Sequence, residues 1–69
     1  MTNTEMLREK ISKTGLKMEH IAETCGISRQ SLTNKITNRS LFTAKEIEIL
    51  CKLLNIGSLV EKERIFFAK

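Results

Sequence analysis

The sequence predicts an all-α fold, a compact bundle of four to five short helices in a single domain covering residues 1–69. Three observations carry that prediction. Apolar residues recur at helical spacing, as Ile47, Leu50, Cys51 and Leu54 do at i, i+3, i+4 and i+7. Capping residues and glycines punctuate the chain at short intervals, with Gly15, Gly26 and Gly57 each standing where a helix should end. Valine occurs only once, which together with that punctuation argues for short helices.

The elements follow in order. Met1 to Asn3 are expected to fray. Thr4 or Asn3 can cap a first helix to about Thr14, with Leu7 and Ile11 as its buried stripe and Met6 beside them. Gly15 ends it, and Leu16 tucks under. A second helix runs from about Met18 to Cys25, preceded by Lys17 or Leu16. Ile21, Ala22 and Cys25 line its inner face, and Ala22 is small enough for a close helix crossing. Gly26 turns the chain, Ile27 points inward, and Ser28 caps a third helix, so the helix-turn-helix spans about 18–37.

In that third helix Leu32 and Ile36 share one face. The opposite face carries Gln30, Thr33, Asn34 and Thr37, with Ser31 at its margin, and no carboxylate. Side chains that both donate and accept hydrogen bonds suit the reading of base edges in a major groove. From Thr24 to Lys45 there is no acidic residue, against four basic ones, Arg29, Lys35, Arg39 and Lys45. The remaining basic residues balance the acidic ones, so the formal net charge of +4 resides in this window. An unopposed basic patch is the footprint of phosphate contact, although a generic basic surface would give the same count.

Phe42 should anchor the polar loop Thr37–Leu41 to the core. Thr43 and Glu46 form a capping box at the start of a fourth helix. Ile49 and Leu53 add a second apolar stripe beside the main one, wider than packing on the helix-turn-helix requires. Asn55 suits a left-handed C-cap, and Gly57 relaxes the turn. Ser58 and Glu61 read as a second capping box, opening a fifth helix over about Leu59 to Phe67. A strand over Arg64 to Ala68 is the alternative. Leu59, Ile65, Phe66 and Phe67 carry more apolar area than so short an element needs. Either they close the core, or Ile65, Phe66 and Phe67, with Ile49 and Leu53, form a partner or dimer interface.

Several classes are excluded or disfavoured. The single histidine, His20, has no nucleophile patterned beside it, so no enzyme is expected. There is no glycine-rich phosphate loop and no metal-ligand spacing, so no cofactor is expected. Cys25 and Cys51 lack a CxxC arrangement and read as reduced thiols at core-like positions. No apolar run is long enough for a bilayer and no signal pattern opens the chain, so a cytoplasmic protein is expected.

Leu16 to Ser28 resembles the second helix and turn of the lambda-repressor-like, Cro/C1-type (XRE) helix-turn-helix family, and Leu32 to Arg39 resembles its recognition helix and following loop. The spacing of Ala22, Gly26, Ile27 and Leu32 is the specific part, within a similarity running from about Leu7 to Ile56. The size and the ending Glu61 to Ala68 are similar to small Cro-like or repressor-modulating proteins of temperate phages of Gram-positive bacteria.

The resemblance implies a transcriptional regulator that binds double-stranded operator DNA in a bacterial host cell, at its nucleoid, as a homodimer. Helix 28–37 would enter the major groove. It implies Arg29, Gln30, Ser31, Thr33 and Asn34 as base readers, and Lys17, Lys35, Asn38 and Arg39 as phosphate contacts, with Lys45 a weaker one. The chain departs from the family at Met18, where a glutamine commonly bonds a phosphate. Lys17 could replace that contact. Otherwise the surface serves a protein partner, and the chain is an antirepressor or modulator that binds a phage repressor. An antitoxin role is a further reading of the same fold.

Overall fold

The computed structural model describes residues 1–69 as five helices and no strand: α1 (Thr4–Thr14), α2 (Met18–Cys25), α3 (Arg29–Ile36), α4 (Ala44–Leu53) and α5 (Leu59–Phe66). The all-α prediction therefore holds, and the strand alternative at the C-terminal end does not form. α2 packs on both α3 and α4, while α1 packs on α3 and α5. The core joins one stripe from each helix: Leu7 and Ile11, Ile21 and Ala22, Leu32 and Ile36, Ile47 and Leu50, Ile65 and Phe66. Leu54 and Ile56, just past α4, complete it.

Local chemistry sets the helix boundaries. Asn3, Ser28 and Thr43 each accept a hydrogen bond at an N-terminus, from Met6, Ser31 and Glu46 respectively. Thr43 and Glu46 make the reciprocal capping box read from the sequence. The second box is only half made. Ser58 caps the Glu61 amide, but the Glu61 carboxylate turns away to pair with Lys10 at 2.7 Å.

Three helices end in the same way. Gly26, Asn38 and Asn55 adopt left-handed conformations, with φ of 75°, 66° and 58°. After each, the next amide reaches back to a carbonyl in the last turn: Ile27 to Ala22, Arg39 to Asn34, and Ile56 to Cys51. This is the Schellman arrangement, which satisfies carbonyls the helix leaves unpaired. Asn55 takes the left-handed position read for it from the sequence, and Gly57, two residues on, has no positive φ.

The segment Met1–Asn3, expected to fray, is tied down. The Asn3 amide donates to the Ile65 carbonyl at 2.6 Å and the Ala68 amide to the Met1 carbonyl at 2.8 Å. Thr2 is buried. Phe42 anchors its loop as expected, meeting Phe66 edge to face with centroids 5.6 Å apart. Cys25 and Cys51 are unpaired and only half-buried, and burial pushes both thiols up from their ordinary range.

Candidate nucleic-acid interface

Leu32 and Ile36 are buried, which fixes the rotation of α3 and turns its polar side away from the core. Arg29 and Gln30 are exposed there, while Ser31, Thr33, Asn34 and Thr37 are half-buried. Gln30 and Asn34 form an i, i+4 amide pair, Gln30 Nε2 donating to Asn34 Oδ1 at 3.2 Å. That pairing orients both carboxamides and leaves Gln30 Oε1 as an acceptor and Asn34 Nδ2 as a donor. Together they present one of each kind, the combination an adenine edge requires. Ser31 shares a hydroxyl contact of 3.1 Å with Ser28, and Thr37 donates to the Thr33 carbonyl at 2.8 Å. Thr37 therefore serves the helix end, at the C-cap of α3, rather than the outward face.

Two of the four residues predicted to hold phosphate are engaged inside the molecule. Lys35 Nζ sits 2.6 and 2.8 Å from the two carboxylate oxygens of Glu46, with side chains only 14% and 9% exposed. Burial by itself would raise the Glu46 carboxyl. The hydrogen bond from Lys35, the amide of Thr43 and the lysine charge outweigh it and hold the carboxyl below the usual carboxylate range. Lys35 is thus a tie between α3 and α4, not an open cation. Asn38 is corrected likewise. Its Oδ1 accepts from the Thr2 amide and its Nδ2 donates to the Thr2 carbonyl, both at 2.8 Å. Both polar atoms of its carboxamide are thus engaged with the Thr2 main chain.

The other two, Lys17 and Arg39, are exposed and make no ion pair, as is Lys45. Arg29 is intermediate, making a loose 3.3 Å contact with Glu19 in which both side chains stay well exposed. Such a pair is worth about 0–1 kcal/mol and yields readily to a stronger anion. The linear charge count overstated the patch for a physical reason. Glu19 and Glu46 lie just outside the acid-free window but fold back onto Arg29 and Lys35.

Met18 is half-buried against the core, so the position where the resembled family has glutamine contributes packing. His20 is exposed, with only its backbone carbonyl bonded, by Thr24. No group of three or more His, Cys, Asp or Glu side chains converges where a metal ion could be held. No helix is long and apolar enough to cross a membrane.

The predicted apolar interface divides. Ile65 and Phe66 are core residues, buried because α5 turns that face onto α1. Ile49 and Leu53 are half-buried and line a groove with Thr24 and Lys52. Phe67 stands out from the surface at 57% exposure, with Leu59 and Val60 also exposed at the start of the same short helix. It borders three grooves at once, toward Val60 and Met6, toward Leu59, and toward Leu41 and Met1. Comparison of the chain with known protein families, with curated proteins and with solved structures finds no match.

Proposed function

We propose that the chain is a DNA-binding transcriptional regulator that inserts α3 into the major groove. The observation that carries the reading is the outward side of α3, free of carboxylates, with an oriented Gln30–Asn34 amide pair and a rigid backing of Leu32 and Ile36. Gln30, Asn34 and Arg29 are the base-reading residues of this proposal, with Ser31 and Thr33 closer to the edge. Lys17, Arg39 and Lys45 supply the phosphate contacts. A homodimer would place two copies of α3 about one helical turn of DNA apart. Its candidate contacts are Leu59, Val60 and Phe67, in place of the buried Ile65 and Phe66.

The test is a gel-shift titration of the purified protein on the DNA flanking its own gene, at several salt concentrations. The protein alone should retard that DNA, with log K falling linearly against log salt. Gln30→Ala should relax preference at one base position, by about 1–3 kcal/mol, whereas Arg39→Ala should weaken all sequences alike. A different reading is favoured by Met18 and by the apolar surface around Phe67. In it the chain modulates another regulator by binding that protein. Failure to shift DNA alone, combined with a change in a repressor's footprint, would select it.

A further inference from the structure

The three Schellman turns are not equivalent. Gly26 and Asn55 supply a left-handed residue and nothing more, and the Asn55 side chain makes no hydrogen bond. Asn38 supplies the same backbone conformation and also holds both sides of the Thr2 main chain with its carboxamide, at 2.8 Å each. Two residues further along, Thr4 Oγ1 donates to the Ile36 carbonyl at 2.6 Å. The amino-terminal segment is itself joined to α5 through the Asn3 amide and the Ile65 carbonyl. The C-terminal end of α3 is therefore suspended from the amino-terminal segment and, through it, from α5. Glycine at position 38 would supply the left-handed turn alone. The carboxamide is what glycine cannot provide.

We propose that Asn38 is a positioning residue: its clasp on Thr2 fixes the loop that carries Arg39 and so sets where that cation meets the DNA backbone. The last clause rests on the DNA-binding reading. The clasp acts through two peptide groups of the amino-terminal segment, so an event that displaces that segment releases the Arg39 loop. Arg39 and Ser40 amides both bond to the Asn34 carbonyl, at 2.8 and 3.2 Å, which makes them reporters of the loop's order. Asn34 belongs to the Gln30 pair, so loosening the loop also loosens one base-reading residue.

Two variants open the clasp from opposite sides. Asn38→Gly removes the carboxamide while keeping a residue suited to positive φ. Thr2→Pro removes the Thr2 amide hydrogen without altering Asn38. In the full chain, amide hydrogen exchange at Arg39 and Ser40 should accelerate at least tenfold in both variants, while Gly26 and Ile27 stay unchanged. On DNA bound by the wild-type chain, each variant should weaken binding by about tenfold. The double variant should be no worse than Asn38→Gly alone, because that change already removes both bonds of the clasp, of which Thr2→Pro removes one. Unchanged exchange at Arg39 and Ser40 in both variants overturns the proposal whatever DNA does. Loss of DNA affinity in Asn38→Gly but not in Thr2→Pro also overturns it, since Asn38 would then touch DNA itself. If the wild-type chain binds no DNA, the DNA-binding reading fails, and exchange alone decides whether the clasp orders the loop.

Discussion

Lys35→Met separates the two roles that position 35 could hold. Methionine keeps most of the lysine stem, so the change removes chiefly the ammonium group. In the folded chain that group bridges both Glu46 oxygens at 2.6 and 2.8 Å, with little solvent access. Breaking a buried pair by deleting one partner costs about 3–5 kcal/mol. Glu46 would still accept from the Thr43 amide at 2.9 Å, and the pair lies at the rim of the core, so the cost falls at or just under the bottom of that range. A loss of about 2–3 kcal/mol is large against a total of roughly 3–10 kcal/mol for a chain of this size. It lowers Tm by roughly 10–20 °C, and a urea titration would show a lower midpoint with an unchanged slope. The cycle with Glu46→Gln should be strongly non-additive, because both changes break one contact. The salt slope of DNA binding, taken below the melting point, should stay as in the wild type. A stability loss under about 0.5 kcal/mol, with the slope reduced by about one, would restore Lys35 as a phosphate contact and refute the reasoning.

Glu46 also makes the fold acid-sensitive. Its carboxyl lies below its ordinary value in the folded state, so its contribution is complete above the unfolded-state value of about 4.3 and is lost as pH falls through the folded value. Urea midpoints measured downward from pH 6 should therefore fall below about pH 4, and the fall should be shallower in Glu46→Gln. Phe66→Ala should cost about 3–5 kcal/mol, since Phe66 is core and meets Phe42 edge to face. Phe67→Ser should leave stability within about 0.5 kcal/mol while reducing self-association in sedimentation analysis.

Much of this architecture is local in its causes and was therefore legible in the sequence. The apolar stripes, the Ser28 and Thr43 caps and the turn at Gly26 each depend on residues within four positions of one another. The rotation of α3 follows from Leu32 and Ile36 alone, which is why the outward placement of Gln30 was foreseeable. What escaped is long-range. Lys35 and Glu46 are eleven residues apart, and Asn38 and Thr2 are thirty-six apart. No periodicity links such pairs; only the packed fold brings them together. The signal available at position 38 was its likeness to Asn55, since asparagine after a helix favours the left-handed region. Phe66 and Phe67 show a third limit. Adjacent residues on a short helix point about a quarter-turn apart, so one enters the core and the other leaves it, and composition cannot say which.

The internal pairs also bear on the strength of the proposed DNA contact. If Lys17, Lys35, Arg39, Lys45 and the base reader Arg29 each displaced one counterion, a dimer would show a log K against log salt slope of about −9. Removing Lys35, which is spent on Glu46, and Arg29, which is shared with Glu19, leaves Lys17, Arg39 and Lys45. The slope for a dimer then becomes about −5, and for a monomer about −3. The measurement is a filter-binding series between low and physiological salt, with the oligomeric state fixed by sedimentation under the same conditions. A dimer slope near −9 would mean that DNA strips Lys35 from Glu46, which the short buried geometry opposes. A slope near −7 would mean that only the exposed Arg29–Glu19 contact yields, one cation per subunit. That intermediate value has a direct check: Glu19→Gln, which releases Arg29 beforehand, should leave the slope steep and tighten binding at every salt concentration.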